Sequence, residues 1–255
     1  MSDNPVRYEL SDSIATITID RPEAMNALSK AVRAGLWEAY RRFVDEDEAL
    51  VAILTATGDR AFCAGGDLKE MSADALQVPP DDFLPYLNKN IRTNKPMIAA
   101  VNGLAYAGGF FLAQTCDLCI ASSNASFAIS EPRVGRGAPW AAPLPWLIPP
   151  RVAMELLITA QPISAERAYQ VGLVNKVVPL ADLPEAARDM ATTITKNAPL
   201  SVRAGKEMVY KSAELGWRAA LEMGDDVYEH VYLSDDAQEG PRAFKEKRAP
   251  VWKAR

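Results

Sequence analysis

The chain has 255 residues, 49% of them apolar and 24% charged, with a formal net charge of −5. That length buries about 70–75% of its unfolded surface around one main core, as an ordinary soluble globular protein does. The charge balance excludes a general attraction for nucleic acid or anionic membrane, no apolar run reaches the ~20 residues of a membrane span, and the opening MSDNPVRYEL lacks a basic-then-apolar signal pattern.

In chain order, Ile14, Ile17 and Ile19 alternate loosely within 6–20, predicting one or two opening strands before a turn at Arg21-Pro22. From Ser29, apolar residues at Val32, Leu36, Tyr40, Phe43 and Val44 recur at helical spacing. The amphipathic helix they predict ends in the acidic cluster DEDE, a solvated face. Residues 51–55 read as a buried strand, and 61–71, AFCAGGDLKEM, as a strand, a glycine loop and a helix start with Asp67 as cap or first-turn acid. Pro79-Pro80 and Pro85 mark 74–85 as a mobile polar insertion, followed by a predicted helix toward Arg92.

Residues 95–117, KPMIAAVNGLAYAGGFFLAQTCD, organise the rest. Met97 to Val101 form an unbroken apolar run expected of a strand buried on both faces, Asn102-Gly103 marks a turn, and Gly108-Gly109 opens an apolar helix. Short strands are predicted at 118–121 and 125–129, and strands alternating with helices give a βαβ-type α/β core. From about Arg151 the pattern turns helical, with Gly172 as a C-cap, a brief strand signal at 173–178, and helices near 183–196, 200–215 and 217–232 before a last charged helix ending in FKEKR. Cys116 and Cys119 form a lone C-x-x-C, which reads as buried packing; three cysteines in all fit a reducing cytoplasm. The one histidine, His230, reads as structural, and no glycine spacing matches a dinucleotide or triphosphate loop.

Two strand–glycine-loop–helix joints in one domain can aim two backbone N–H groups at a single oxygen, the minimum equipment of an oxyanion hole. With ASFAISEPRVG, the motifs FCAGGDLKEM and KPMIAAVNGLAYAGGFFLAQTCD resemble the crotonase (enoyl-CoA hydratase/isomerase) superfamily from about Ile14 to the C-terminus. IPPRVAMELLIT and the ending DDAQEGPRAFKEKRAPVWKAR are most similar to its carnitinyl-CoA dehydratase type. The resemblance implies an α/β spiral of ββα units over 1–195 carrying the acyl-CoA site, and a C-terminal helical trimerisation region over 196–255. It also implies a homotrimer or a dimer of trimers, and a cytoplasmic enzyme of fatty-acid or related acyl-CoA metabolism. Coenzyme A enters only as part of the thioester, with no separate cofactor, no metal, no nucleic acid and no membrane partner.

By the same resemblance, the N–H groups of Gly66 and Gly108 are the oxyanion donors. Coenzyme A is expected along Ala27, Leu28, Ala64, Gly65, Asp67 and Leu68, with Lys69 near the phosphates. Phe244 and Lys247 match an aromatic and a lysine that reach the nucleotide end from another subunit. Hydratases of the family carry two glutamates. The second matches Glu131; the first matches Phe111, which cannot transfer a proton. Hydration needs a base for water at C3 and an acid at C2, whereas moving a double bond needs one carboxylate that takes a proton from one carbon and returns it to another. Phe110, Phe111 and Trp140 are expected to supply an apolar setting for Glu131, Trp140 and Trp146 to shape the acyl pocket, and Arg133 and Arg136 to be its possible ion-pair partners. The alternatives are a one-carboxylate isomerase, a coenzyme A-binding protein without catalysis, and a serine peptidase, for which no Ser/His/Asp constellation is present.

Overall fold

A computed structural model describes residues 4–255; residues 1–3, part of the opening stretch examined for a signal pattern, lie outside the described residues. The chain begins with a hairpin of β1 (Val6–Ser11) and β2 (Ile14–Ile19), closed by Asp12 and Ser13, both at positive φ, the turn whose twist matches paired strands. Ser29 caps α1 (Lys30–Asp45) by accepting from the Val32 N–H, and its buried stripe runs Val32, Leu36, Tyr40 and Phe43. The other end of α1 is closed from a distance: the Lys95 ammonium donates to the carbonyls of Phe43, Val44 and Glu46.

Then a unit repeats. β3 (Val51–Ala56), β4 (Ala61–Cys63) and α2 (Leu68–Ala73) are followed by β5 (Met97–Val101), β6 (Leu104–Tyr106) and α3 (Gly108–Thr115). β7 (Leu118–Ser122) and β8 (Ser126–Ala128) begin a third turn, which continues into a 3-10 turn at Glu131–Val134. The first strand of each pair joins a six-stranded sheet, β1-β2-β3-β5-β7-β10, and the second a four-stranded sheet, β4-β6-β8-β9. This is the ββα spiral that the family resemblance implies. The remaining elements are α4 (Leu144–Leu147), α5 (Pro150–Thr159), β9 (Ile163–Ser164), α6 (Ala165–Gln170), β10 (Lys176–Val178), α7 (Leu183–Thr195), α8 (Pro199–Ser212), α9 (Trp217–Tyr232) and α10 (Asp235–Glu246).

Period-2 alternation places the two faces of the large sheet in different cores. Ile53, Ile98, Ala100 and Ile120 meet α7 through Leu183, Ala186, Ala187 and Ala191. Leu54, Met97, Ala99 and Val101 face the main core with Phe43, Phe62 and Phe110. Burial on both sides explains the unbroken apolar runs of β3 and β5. Helices α8 and α9 form a third, small cluster around Ala204, Val227 and Val231. Asp117 fastens it to the sheet: its carboxylate accepts from the Met97 N–H (2.7 Å), the Lys206 ammonium (2.8 Å) and the Tyr210 hydroxyl (2.9 Å).

Two expectations are corrected. No helix forms between the insertion and Arg92: the Asn90 side chain accepts from the Tyr86 N–H and donates to the carbonyls of Asp81 and Leu84, which winds 81–91 into a loop. Between the Asn102-Gly103 turn and α3 lies an extra strand, β6, too short to show a period. His230 lies on the exposed side of α9. Cys116 and Cys119 are buried free thiols, with burial pushing the Cys119 thiol up to about 12. Among the described residues no helix is long and apolar enough to cross a membrane.

Candidate active site

Three neighbouring strands of the small sheet run parallel, β4 beside β6 beside β8, with Cys63 opposite Ala105 and Tyr106 opposite Ala128. Their carboxyl ends therefore lie side by side, and each leads within three residues to a candidate group: Gly65-Gly66 after β4, Gly108 after β6, Glu131 after β8. Loops beyond the carboxyl ends of parallel strands are where α/β sheets hold ligands, because helix N-termini and chain reversals gather there.

The two glycine loops are packed into each other. A Cβ on Gly65, which sits at φ +102°, would lie 2.8 Å from the Ala107 Cβ and 3.5 Å from the Gly108 nitrogen. A Cβ on Gly109 would lie 2.0 Å from the Cys63 carbonyl oxygen, so only glycine fits there. Leu28 closes the cradle from below: its N–H donates to the Gly65 carbonyl (2.8 Å), and its side chain is buried against Gly108. Gly108 opens α3, where first-turn N–H groups have no intrahelical acceptor. Among the described residues the loop and turn bonds include no acceptor for the Gly66 N–H either. The peptide entering α3 is strained: Ala107 sits at φ 49°, ψ −119°, a conformation costly for a residue with a side chain. It is held by its N–H on the Ala128 carbonyl and by the Phe111 N–H on its own carbonyl.

Asp67 caps α2, accepting from the N–H groups of Lys69 and Glu70, and pairs with the Arg21 guanidinium at 2.8 Å. The Arg21 hydrogen bond is the main reason its carboxyl is held below the usual range. Its side chain is thus already engaged. In the expected coenzyme A strip the Ala64 N–H is bonded to the Met25 carbonyl, Leu28 is buried, Ala27 is half-buried, and Leu68 and Lys69 are exposed. Phe244 and Lys247 lie at the end of α10, Phe244 86% exposed, and among the described residues no hydrogen bond joins them to these loops.

Glu131 is buried, and the two oxygens of its carboxylate differ. Oε1 accepts from the Trp140 indole N–H at 2.9 Å, while Oε2 is buried with no hydrogen-bond partner among the described residues. Burial pushes the carboxyl above its ordinary value, against the opposing pull of its own backbone N–H and the indole. The expected arginine partners are absent: Arg133 is exposed, and Arg136 donates instead to the carbonyls of Leu76 (2.6 Å) and Gln77 (2.9 Å). Phe111, one turn into α3, is buried edge-on against Tyr86 (ring centroids 4.8 Å) and Trp140 (6.0 Å), and Phe110 meets Trp140 at 5.6 Å. Trp146 is 73% exposed and does not share this wall. Tyr86, Gln114 and Ala107 are additions that no local pattern announced; Gln114 donates to the Trp140 carbonyl at 3.0 Å. A separate cavity of about 310 Å³ opens between α1, α2 and 76–83; Met71 lines it and also packs against Gly66.

A sequence profile of the family described as enoyl-CoA hydratase/isomerase matches residues 9–255. Carnitinyl-CoA dehydratases of Salmonella typhi and Salmonella typhimurium are each 40% identical over 252 residues, 95% of both chains. The crystal structure of an enoyl-CoA hydratase/isomerase from Mycobacterium paratuberculosis matches with a TM-score of 0.91 at 32% identity, covering 100% of both chains. An enoyl-CoA hydratase from Mycobacterium tuberculosis H37Rv matches with a TM-score of 0.91 at 37% identity, over 99% of this chain and 100% of that one. With its parallel strand ends, paired glycine loops and spiral of ββα units, the chain belongs to the enoyl-CoA hydratase/isomerase family.

Proposed function

We propose that the protein holds the thioester oxygen of an acyl-CoA between the N–H groups of Gly66 and Gly108 and moves protons with one carboxylate, Glu131. The observation that carries this reading is the pair formed by a buried, partner-free Oε2 and a phenylalanine, Phe111, packed into the neighbouring wall. An acyl-CoA enolate is a developing oxyanion; two fixed donors there lower the barrier, each by about 3 kcal/mol. With the oxyanion held, Glu131 takes a proton from C2 of a 3-enoyl thioester, the electrons spread into a dienolate, and the same carboxyl returns the proton to C4. The product is the 2-enoyl thioester and the enzyme is unchanged.

A second reading has its own support. Relatives 40% identical are named carnitinyl-CoA dehydratase, so elimination of water from a 3-hydroxyacyl thioester is the competing reaction. There Glu131 would serve both carbon and oxygen. Offering purified protein 2-enoyl- and 3-enoyl-CoA thioesters of short and medium length, with carnitinyl-CoA beside them, separates the two. Double-bond migration faster than hydration supports the first; dehydration alone supports the second.

The surface supports an assembly: α9 and its exit carry exposed Trp217, Leu221, Tyr232 and Leu233. We infer a homotrimer or a dimer of trimers in which Phe244 and Lys247 reach a neighbouring subunit's coenzyme A. A stable monomer in sedimentation at micromolar concentration would remove that role.

A further inference from the structure

We propose that Trp140 is a positioning residue that divides labour between the two oxygens of Glu131, holding Oε1 so that Oε2 alone exchanges the substrate proton. The proposal rests on the one-carboxylate reading above. A free carboxyl can present either oxygen by rotating about its last bond, and half of those poses aim the wrong lone pair. Here rotation is blocked at one point by the indole N–H at 2.9 Å. The indole is itself fixed. Its residue's carbonyl accepts from the Gln114 amide (3.0 Å) and lies 3.5 Å from the Tyr86 hydroxyl, and its ring stands edge-on to Phe110 and Phe111. Oε2 has no partner among the described residues; the other unpartnered atom of this network is the Gln114 Oε1, whose amide is already committed to the Trp140 carbonyl. A buried polar atom without a partner costs stability, so its retention points to a group that meets it only when substrate is bound.

Phe111 takes on a purpose in this arrangement. A carboxylate in its place would compete for the indole N–H and repel Glu131, whereas a phenyl ring buttresses Trp140. The groups facing Glu131 are neutral. Arg133 on its own turn points outward, Arg136 is spent on the carbonyls of 76–77, Tyr86 from the 81–91 loop meets Phe111 edge-on, and the Lys89 ammonium lies over the Tyr86 ring, 6.0 Å from its centre. Burial raises the Tyr86 hydroxyl, so it stays protonated where Glu131 titrates.

Trp140→Phe keeps a ring against Phe110 and Phe111 and removes the donor. It is expected to lower kcat about tenfold with KM within about twofold, and to move the acid limb of kcat/KM to higher pH, since the ionised carboxylate has lost its hydrogen bond. The indole N–H resonance of Trp140 in a ¹H–¹⁵N spectrum gives a substrate-free test. It is assigned by its loss in Trp140→Phe or, if that variant does not fold, by Trp→Phe changes at the other four tryptophans. The resonance should shift in a single step with pH, and Glu131→Gln should abolish the step. A resonance without that step, or Trp140→Phe with wild-type kcat and acid limb, overturns the proposal. If no thioester is turned over, the one-carboxylate reading fails by itself, and the titration still decides whether the indole holds Glu131.

Discussion

On one side of the candidate site the groups proposed to meet a substrate are backbone N–H groups, at Gly66 and Gly108; on the other there is one side chain, Glu131, set in an aromatic wall. The first side is fixed by what cannot be there. Atoms at Gly65 and Gly109 would collide with Ala107 and with the Cys63 carbonyl, so the loops interlock only as glycine. The second side is fixed by what is there: an indole, an amide and two phenyl rings. A cradle made of backbone carries the same chemistry whatever its neighbours are, while a wall of side chains changes its chemistry with each substitution.

The largest effect should come from breaking the first side. Gly109→Ala places a Cβ against the Cys63 carbonyl, 2.0 Å from its oxygen, and should cost about 3 kcal/mol or more, read as a lowered melting temperature with activity lost. Glu131→Gln breaks the second side without touching the fold. Turnover should fall by at least ~10²-fold while KM changes little, and full activity on every thioester tested would sink the Glu131 assignment.

Phe111→Glu makes the wall resemble that of a two-carboxylate hydratase. Stability should fall by about 2 kcal/mol for a polar group in a buried aromatic site, and hydration should rise relative to isomerisation; an unchanged product ratio would show that the indole and not residue 111 sets the reaction. Ala107→Gly relieves the strained entry into α3 and should stabilise the protein by ~1 kcal/mol, the strain removed less the entropy glycine adds to the unfolded chain.

The smallest effect is one of pH. Because burial raises the Glu131 carboxyl in the folded state, its protonated form is the one folding favours. That contribution is fully present below the ordinary carboxylate range and is lost as pH rises through the raised value. Glu131→Gln should therefore melt above the wild type at neutral pH, and the two curves should converge in acid. A gap that widens toward low pH would reverse the sign and refute the burial account.

The uneven materials explain what could be read from the chain alone. The two strand–glycine-loop–helix joints were legible because close backbone approach demands glycine and burial on both faces leaves unbroken apolar runs such as 97–101, whereas the spiral came only through the family resemblance. Glu131 was legible by its motif, but its partner was not: Arg133 and Arg136 were nearer in sequence than Trp140, and only the fold shows that Arg136 is drawn away by Leu76 and Gln77. Tyr86 could not be found, since a loop wound by Asn90 leaves no periodicity. The helix expected before Arg92 failed for the same reason, as a side-chain amide captured the backbone groups a helix would have used.

The Asp117 knot bears on the order in which the subunit matures. Its carboxylate sits at the foot of β5 with a side chain 13% exposed, and its cation, Lys206, arrives 89 residues later in the chain. Before α8 docks, the carboxylate has one backbone N–H and otherwise water; docking exchanges that water for the Lys206 ammonium and the Tyr210 hydroxyl. Docking of the late helices is then a neutralisation as much as a burial of apolar surface. A chain stopped short of Pro199 leaves Asp117 without its cation, so the pairing at the start of β5 is complete only when the late helices arrive.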